Sequence, residues 1–236
     1  MIRIENIEVW GFEHAIRGMR NPLNSWNKSD SGVGCCKTNN YSDVQLCSGC
    51  DENNNDCNKQ FVIGSNDLDL MRRLCKAGQP HRKYLRQIFV SMDITAPLYW
   101  WKEFDTYKVG TTTNSCSTMH KIHDKEFTLD DFSHEHLRYE YYGSFDEASW
   151  AEVSLLNTIE TLNRARDLYL KSKDKKHWWL IIQLLPSSYN QKRTITMNYE
   201  NAVNMIEYRI GHKLDEWNEF VDILWELPYL KEIGGK

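Results

Sequence analysis

The stretch from Tyr84 to Phe104 reads YLRQIFVSMDITAPLYWWKEF, and its two halves follow different periods. As far as Ala96-Pro97, β-branched and apolar residues run in near alternation, the pattern of a strand with one buried face. Proline cannot donate to a strand ladder but is well placed in the first turn of a helix. The strand therefore ends at Pro97, and LYWWKEFDTYK is read as a helix. Tyr99, Trp100 and Phe104 lie at helical spacing, which makes core packing their role rather than base stacking.

Working outward, IRIENIEVWGF at the start alternates as a strand does. NDLDLMRRLCKAG reads as a short helix capped by Asn66 or Asp67, with Leu68, Met71, Leu74 and Cys75 as its stripe and Gly78 as its stop. Downstream, FDEASWAEVSLLNTIETLNRARDLYLK has the spacing of a long helix, and HWWLIIQLLP continues as a second one ended by Pro186. RTITMN is strand-like, and NAVNMIEYRIGHKLDEWNEFVDILWEL is read as one final helix. Strands separated by helices without strict alternation give an α+β class, a mixed sheet with flanking helices in a single domain over residues 1–236.

A chain of 236 residues with 41% hydrophobic content is long enough for a substantial core. The net charge of -4 argues against charge-driven nucleic-acid binding and for a small-molecule partner. No run of eighteen apolar residues suggests a membrane span, and MIRIENIEVWGF lacks the pattern of a secretory signal, so a cytoplasmic location is expected. Seven cysteines fit a reducing compartment better than a disulfide framework. Five fall between Cys35 and Cys57, within a Cys- and Asn-rich stretch read as a surface insertion over residues 27–60. Cys47 and Cys50 have zinc-ligand spacing, but Cys35 and Cys36 are adjacent and chelate poorly. Cys35, Cys47, Cys50 and Cys57 remain a weak metal alternative, and no metal is expected.

The sequence holds no G-x-G-x-x-G after a strand, no Walker A, no G-x-S-x-G and no H-E-x-x-H. His120, His123, His134 and His136 are read as solvated surface residues. A dense polar run, TYKVGTTTNSCSTMHK, follows the aromatic helix. Its hydroxyls, amides and Lys108 suit a phosphate or a pyrimidine edge, so it is read as a binding loop. A capped connection between helices is the plainer alternative.

Two segments, Gly78–Lys121 and Leu185–Trp217, resemble the flavin-dependent thymidylate synthases, the ThyX family. The separation of His81 from Pro97 matches the family's Gly-His and Ala-Pro without a gap. Glu103 takes the place of a Gln, and Thr106-Tyr107-Lys108 takes the place of Arg-His-Arg. Asn114, Ser115 and Ser117 match an Asn-Glu-x-Ser segment once one residue is inserted. Leu185-Pro186 matches the family's Leu-Pro. Asn198, Asn204 and Arg209 fall at the spacings of its flavin-contacting asparagines and substrate-contacting arginine.

This resemblance implies a flavoprotein methyltransferase of nucleotide biosynthesis. It would move a one-carbon unit from methylenetetrahydrofolate to C5 of dUMP or a related pyrimidine nucleotide, using FAD and NADPH, in a homotetramer. His81, Tyr107, Lys108, Asn198 and Asn204 would hold the flavin. Glu103, Ser115, Ser117 and Arg209 would hold the nucleotide, Arg209 being the catalytic choice. The scheme needs no protein nucleophile, although Cys116 is the candidate thiol for a cysteine-dependent route. Thr106, Met119 and Ile182 stand where the family has arginines, which keeps open a homologue that binds nucleotide or flavin without making dTMP.

Overall fold

A computed structural model of the chain describes residues 2–35, 59–137 and 145–235. Cys36, Cys47, Cys50 and Cys57 lie outside them, and with them the metal alternative. The described elements, in chain order, are β1 (Arg3–Trp10), α1 (Phe12–Arg20), β2 (Gly32–Cys35), β3 (Lys59–Val62), α2 (Ser65–Lys76), β4 (Phe89–Pro97), α3 (Leu98–Phe104), β5 (Thr111–Ser115), α4 (Phe145–Ser172), α5 (Lys175–Leu184), β6 (Asn190–Asn198), α6 (Tyr199–Arg209), α7 (Asp215–Trp225) and α8 (Leu230–Gly234). One sheet has the order β1-β4-β6-β5, and β2 pairs antiparallel with β3. The class is α+β, as the sequence predicts. Residues 36–58 are flanked by the paired strands β2 and β3, so the edges of the expected loop are ordered ladder.

The chain divides into two compact units: residues 1–6, 92–195 and 212–219, and residues 7–91, 196–211 and 220–236. In the first unit, Trp100, Trp101, Phe104 and Trp217 are fully buried, with Trp100 4.9 Å from both other tryptophan rings. Helices α4 and α5 pack on each other and, with Ile122, Phe127 and Phe132, enclose a second cluster around Leu155, Leu162 and Ile181.

In the second unit, Arg20 and Asp67 form a buried ion pair, Nε to Oδ1 at 2.5 Å. Asp67 Oδ2 also accepts hydrogen bonds from Ser29 Oγ and Ser31 Oγ and from the Asp30 and Ser31 amides. In return, the Asp30 carboxylate accepts from the Asn66 and Asp67 amides. Helix α2 is thus capped by a residue distant in sequence, not by Asn66 or Asp67, which lie inside its first turn.

Three further expectations change. The segment before β4 is a 3-10 helix over Lys83–Gln87. The expected final helix is broken, because Ile210 leaves the helical region and Gly211 takes φ +70, a conformation that costs glycine little. The polar run contains β5, a strand at the end of the sheet order, so it joins no pair of helices directly.

Candidate functional site

In the first unit a cleft of about 860 Å³ is lined by the residues that follow β5, namely Cys116, Ser117, Thr118 and Lys121. Strand β6 positions them: Cys116 N donates to Lys192 O at 2.9 Å, and Gln191 Nε2 donates to Cys116 O at 2.8 Å. Arg193 orients Gln191 through Nε to Oε1 at 2.9 Å and pairs with Asp105 at 2.7 Å. Its guanidinium carbon also lies 4.2 Å from the Trp101 ring centroid. The loop is therefore held by a chain of polar contacts built on the aromatic core. Ser117 Oγ accepts from His120 N at 3.0 Å, while Ser115 ends β5 exposed.

The cleft is also lined by Phe132, His134 and Glu135. His134 is buried and its Nδ1 donates to Phe132 O at 2.8 Å. His123 lies edge-on to Tyr169 at 4.8 Å. Neither is the solvated surface histidine that the sequence suggested: His134 has a carbonyl partner and His123 an aromatic one, with His123 Nδ1 buried and without a hydrogen-bond partner among the described residues. Tyr189, also on the cleft, has its hydroxyl pushed up to about 12, first by burial and then by Asp131 and Cys116. Cys116 is a free, exposed thiol on the same cleft.

Glu103 is the penultimate residue of α3, beside Phe104 of the aromatic core. Its Oε2 accepts from Trp217 Nε1 at 3.0 Å and faces His212 Nε2 at 3.4 Å. Leu214 N donates to His212 Nδ1, which leaves the ring proton on Nε2, directed at the carboxylate. Tyr107 packs on the same indole, its centroid 6.0 Å away. The structure thus brings Glu103 and Tyr107 together on Trp217, while Lys108 is exposed. Beside them, the Tyr99 hydroxyl donates to the buried Glu216 and bonds Ser133 Oγ; burial and the Glu216 contact raise it far above the usual phenol range.

In the second unit, Asn198, Asn204 and Arg209 are all carried by α6. Asn198 is its N-cap, Oδ1 accepting from Asn201 N at 3.0 Å, which leaves its Nδ2 donors. Asn204 Oδ1 accepts from Arg82 Nη2 at 2.7 Å. Arg82 also faces Glu200 and Glu207, each at 3.5 Å, and Arg86 pairs with Glu200. Glu207 thus faces Arg82, and Arg209 is the last residue of α6, not a mid-helix position as the sequence suggested. His81, exposed, lines a cleft of about 670 Å³ with Lys83 and Tyr84.

His212, Trp217 and Gln191 were missed by sequence reasoning. The first two lay hidden in the single expected helix, and the break at Gly211 was the signal that would have separated them. Among the described residues no group of three or more His, Cys, Asp or Glu side chains is placed to hold a metal ion. No described helix is long and apolar enough to cross a membrane.

The fold is that of the flavin-dependent thymidylate synthases, as the likeness to solved structures shows. The chain is similar to thymidylate synthase X (ThyX) from Helicobacter pylori, crystallised with FAD and dUMP, at a TM-score of 0.63 and 14% identity over 99% of this chain and 97% of that one. It is also similar to the UMP/dUMP methylase PolB from Streptomyces cacaoi bound with 5-Br dUMP, at a TM-score of 0.62 and 14% identity, covering 99% and 94%. No family model matches the sequence, and no curated protein matches it.

Proposed function

We propose that the protein is a flavin-dependent enzyme that transfers a one-carbon unit to C5 of a pyrimidine nucleotide or its close relative. The observation that carries this reading is the extent of the fold likeness, which spans nearly the whole of both chains rather than a shared core. The solved ThyX holds FAD and dUMP, and PolB holds 5-bromo analogues of dUMP and UMP.

The donor set suits a flavin. Asn204, its Oδ1 fixed by Arg82, would offer its Nδ2 donors to a ring carbonyl, and Asn198 is left with the same donors by its capping bond. His81, Tyr107 and Lys108 would complete the cofactor's contacts, Lys108 as a point charge for a pyrophosphate. When bound, FAD would supply the hydride, with NADPH and methylenetetrahydrofolate as co-substrates. Ser117 and Ser115 would hold the pyrimidine by hydroxyl and backbone hydrogen bonds. Glu103, clamped by Trp217 and His212, would accept a hydrogen bond at a fixed position, and Arg209 would polarise the ring. A cytoplasmic homotetramer completes the reading.

One observation favours a variant chemistry over dTMP synthesis itself. Two of the three side chains at the expected arginine positions have other work: Thr106 Oγ1 donates to Glu103 O at 2.7 Å, and Ile182 packs into the α4–α5 cluster, while Met119 is exposed. The test is an absorbance spectrum of the purified protein, followed by turnover with methylenetetrahydrofolate, NADPH and a set of pyrimidine acceptors. A flavin spectrum with a methylated product supports the proposal. A colourless protein that takes up no added FAD refutes it.

A further inference from the structure

We infer that Glu200 is a positioning residue for the flavin: through Arg82 it sets which end of the Asn204 amide the cofactor meets, an inference that rests on the flavin reading above. Glu200, Asn204 and Glu207 stand at i, i+4 and i+7 on α6, so they share one face of the helix, and Arg82 contacts all three. An asparagine side chain can offer a ligand either its carbonyl or its amino group. The Arg82 Nη2 donor, 2.7 Å from Asn204 Oδ1, ties up the carbonyl and leaves the two Nδ2 donors for the ligand. That orientation is only as firm as the guanidinium that imposes it.

The Arg82 side chain is 11% exposed and needs a counter-charge close by. Glu207, 3.5 Å from Nη1, is half exposed and so a weak anchor, whereas Glu200 is 6% exposed. Glu200 Oε1 lies 3.5 Å from Arg82 Nε, yet both atoms are buried and neither has a hydrogen bond among the described residues. A carboxylate that closed on the side of the guanidinium in the usual two-bond fork would take Nε together with Nη2, the donor that Asn204 uses. The other oxygen of Glu200, Oε2, accepts from Arg86 Nε instead, which holds the carboxylate short of that fork. Glu200 therefore neutralises Arg82 without occupying Nη2. The carboxylate supplies the charge, and the amide receives the hydrogen bond.

Fluorescence titration of the full chain with FAD tests this, together with thermal unfolding of the FAD-free protein and the reduction potential of the bound flavin. Glu200→Gln keeps the size of the side chain and removes its charge. It should weaken FAD binding about tenfold and, at saturating FAD, lower the reduction potential, because a ring carbonyl loses a fixed donor that stabilises the reduced ring. Asn204→Asp serves if that variant misfolds: Arg82 gains a charged partner, so the melting temperature should hold or rise, while FAD binding falls about tenfold because the Nδ2 donors are gone. A merely structural Glu200 would lower the melting temperature and leave the potential where it is. Glu200→Gln with wild-type FAD affinity or an unchanged potential would overturn the inference, as would Asn204→Asp with wild-type affinity, and each would leave the flavin reading standing. A wild-type protein that takes up no FAD sinks both.

Discussion

Removing the carboxylate of Asp67 should be the most damaging single polar change in the second unit. Asp67→Ala leaves the Arg20 guanidinium, only 4% exposed, without its counter-ion, and strands the hydroxyls of Ser29 and Ser31. Breaking a buried pair from one side costs about 3–5 kcal/mol, whereas replacing both members by apolar groups is often close to neutral. For a chain of this size the single change should lower Tm by roughly 6 to 20 °C. Arg20→Met combined with Asp67→Ala should recover most of that loss, because no buried charge remains. The pH dependence has a defined sign. Burial pushes the Asp67 carboxyl up, but hydrogen bonds from Ser31, Ser29 and Arg20, with the Arg20 charge, outweigh it and hold the group below its ordinary value. Its stabilisation is therefore present above the unfolded value, about pH 4, and is lost as pH falls through the lower folded value. Urea titrations of wild type, single and double variants between neutral and acid pH measure both effects. A single variant within about 1 kcal/mol of wild type, as for a surface pair, would refute the reasoning. A double variant no more stable than the single would do so as well.

Arg209→Ala should abolish turnover while leaving the melting temperature within a few degrees, since Arg209 ends α6 without lying in the core; activity retained within a few-fold would show that the substrate is placed wrongly. Arg82→Lys keeps the charge but loses the planar fork that holds Asn204, so flavin affinity should fall about tenfold in a fluorescence titration. Gly211→Ala forces a Cβ into φ +70 and should cost about 1 kcal/mol in a urea unfolding curve, with a matching disturbance of the adjoining His212–Glu103 contact.

The strand-to-helix switch at Pro97 was legible because alternation and proline act locally. Val90, Met92, Ile94 and Ala96 form the buried face of β4, and Pro97 stands at the N-cap of α3. The cap of α2 was not legible, because its donors are satisfied by Asp30, thirty-six residues from Asn66. Nor was the break at Gly211, where a single glycine interrupts an otherwise amphipathic pattern. At the candidate site, Glu103, Ser117, Asn198 and Asn204 are proposed from the family resemblance. The partners that orient two of them, Trp217 with His212 and Arg82, come from distant segments brought together by folding.

Those partners also explain how a chain keeps this fold with its most specific motif altered. A position that grips no ligand is available to packing. Thr106 now closes the last turn of α3, and Ile182 contributes to a cluster that includes Phe127 and Phe132. Returning arginine to position 182 would put a cation against that cluster without a partner built to receive it, a cost of desolvation rather than a recovered contact. Restoring arginine at one of these positions would therefore not by itself rebuild a ligand grip.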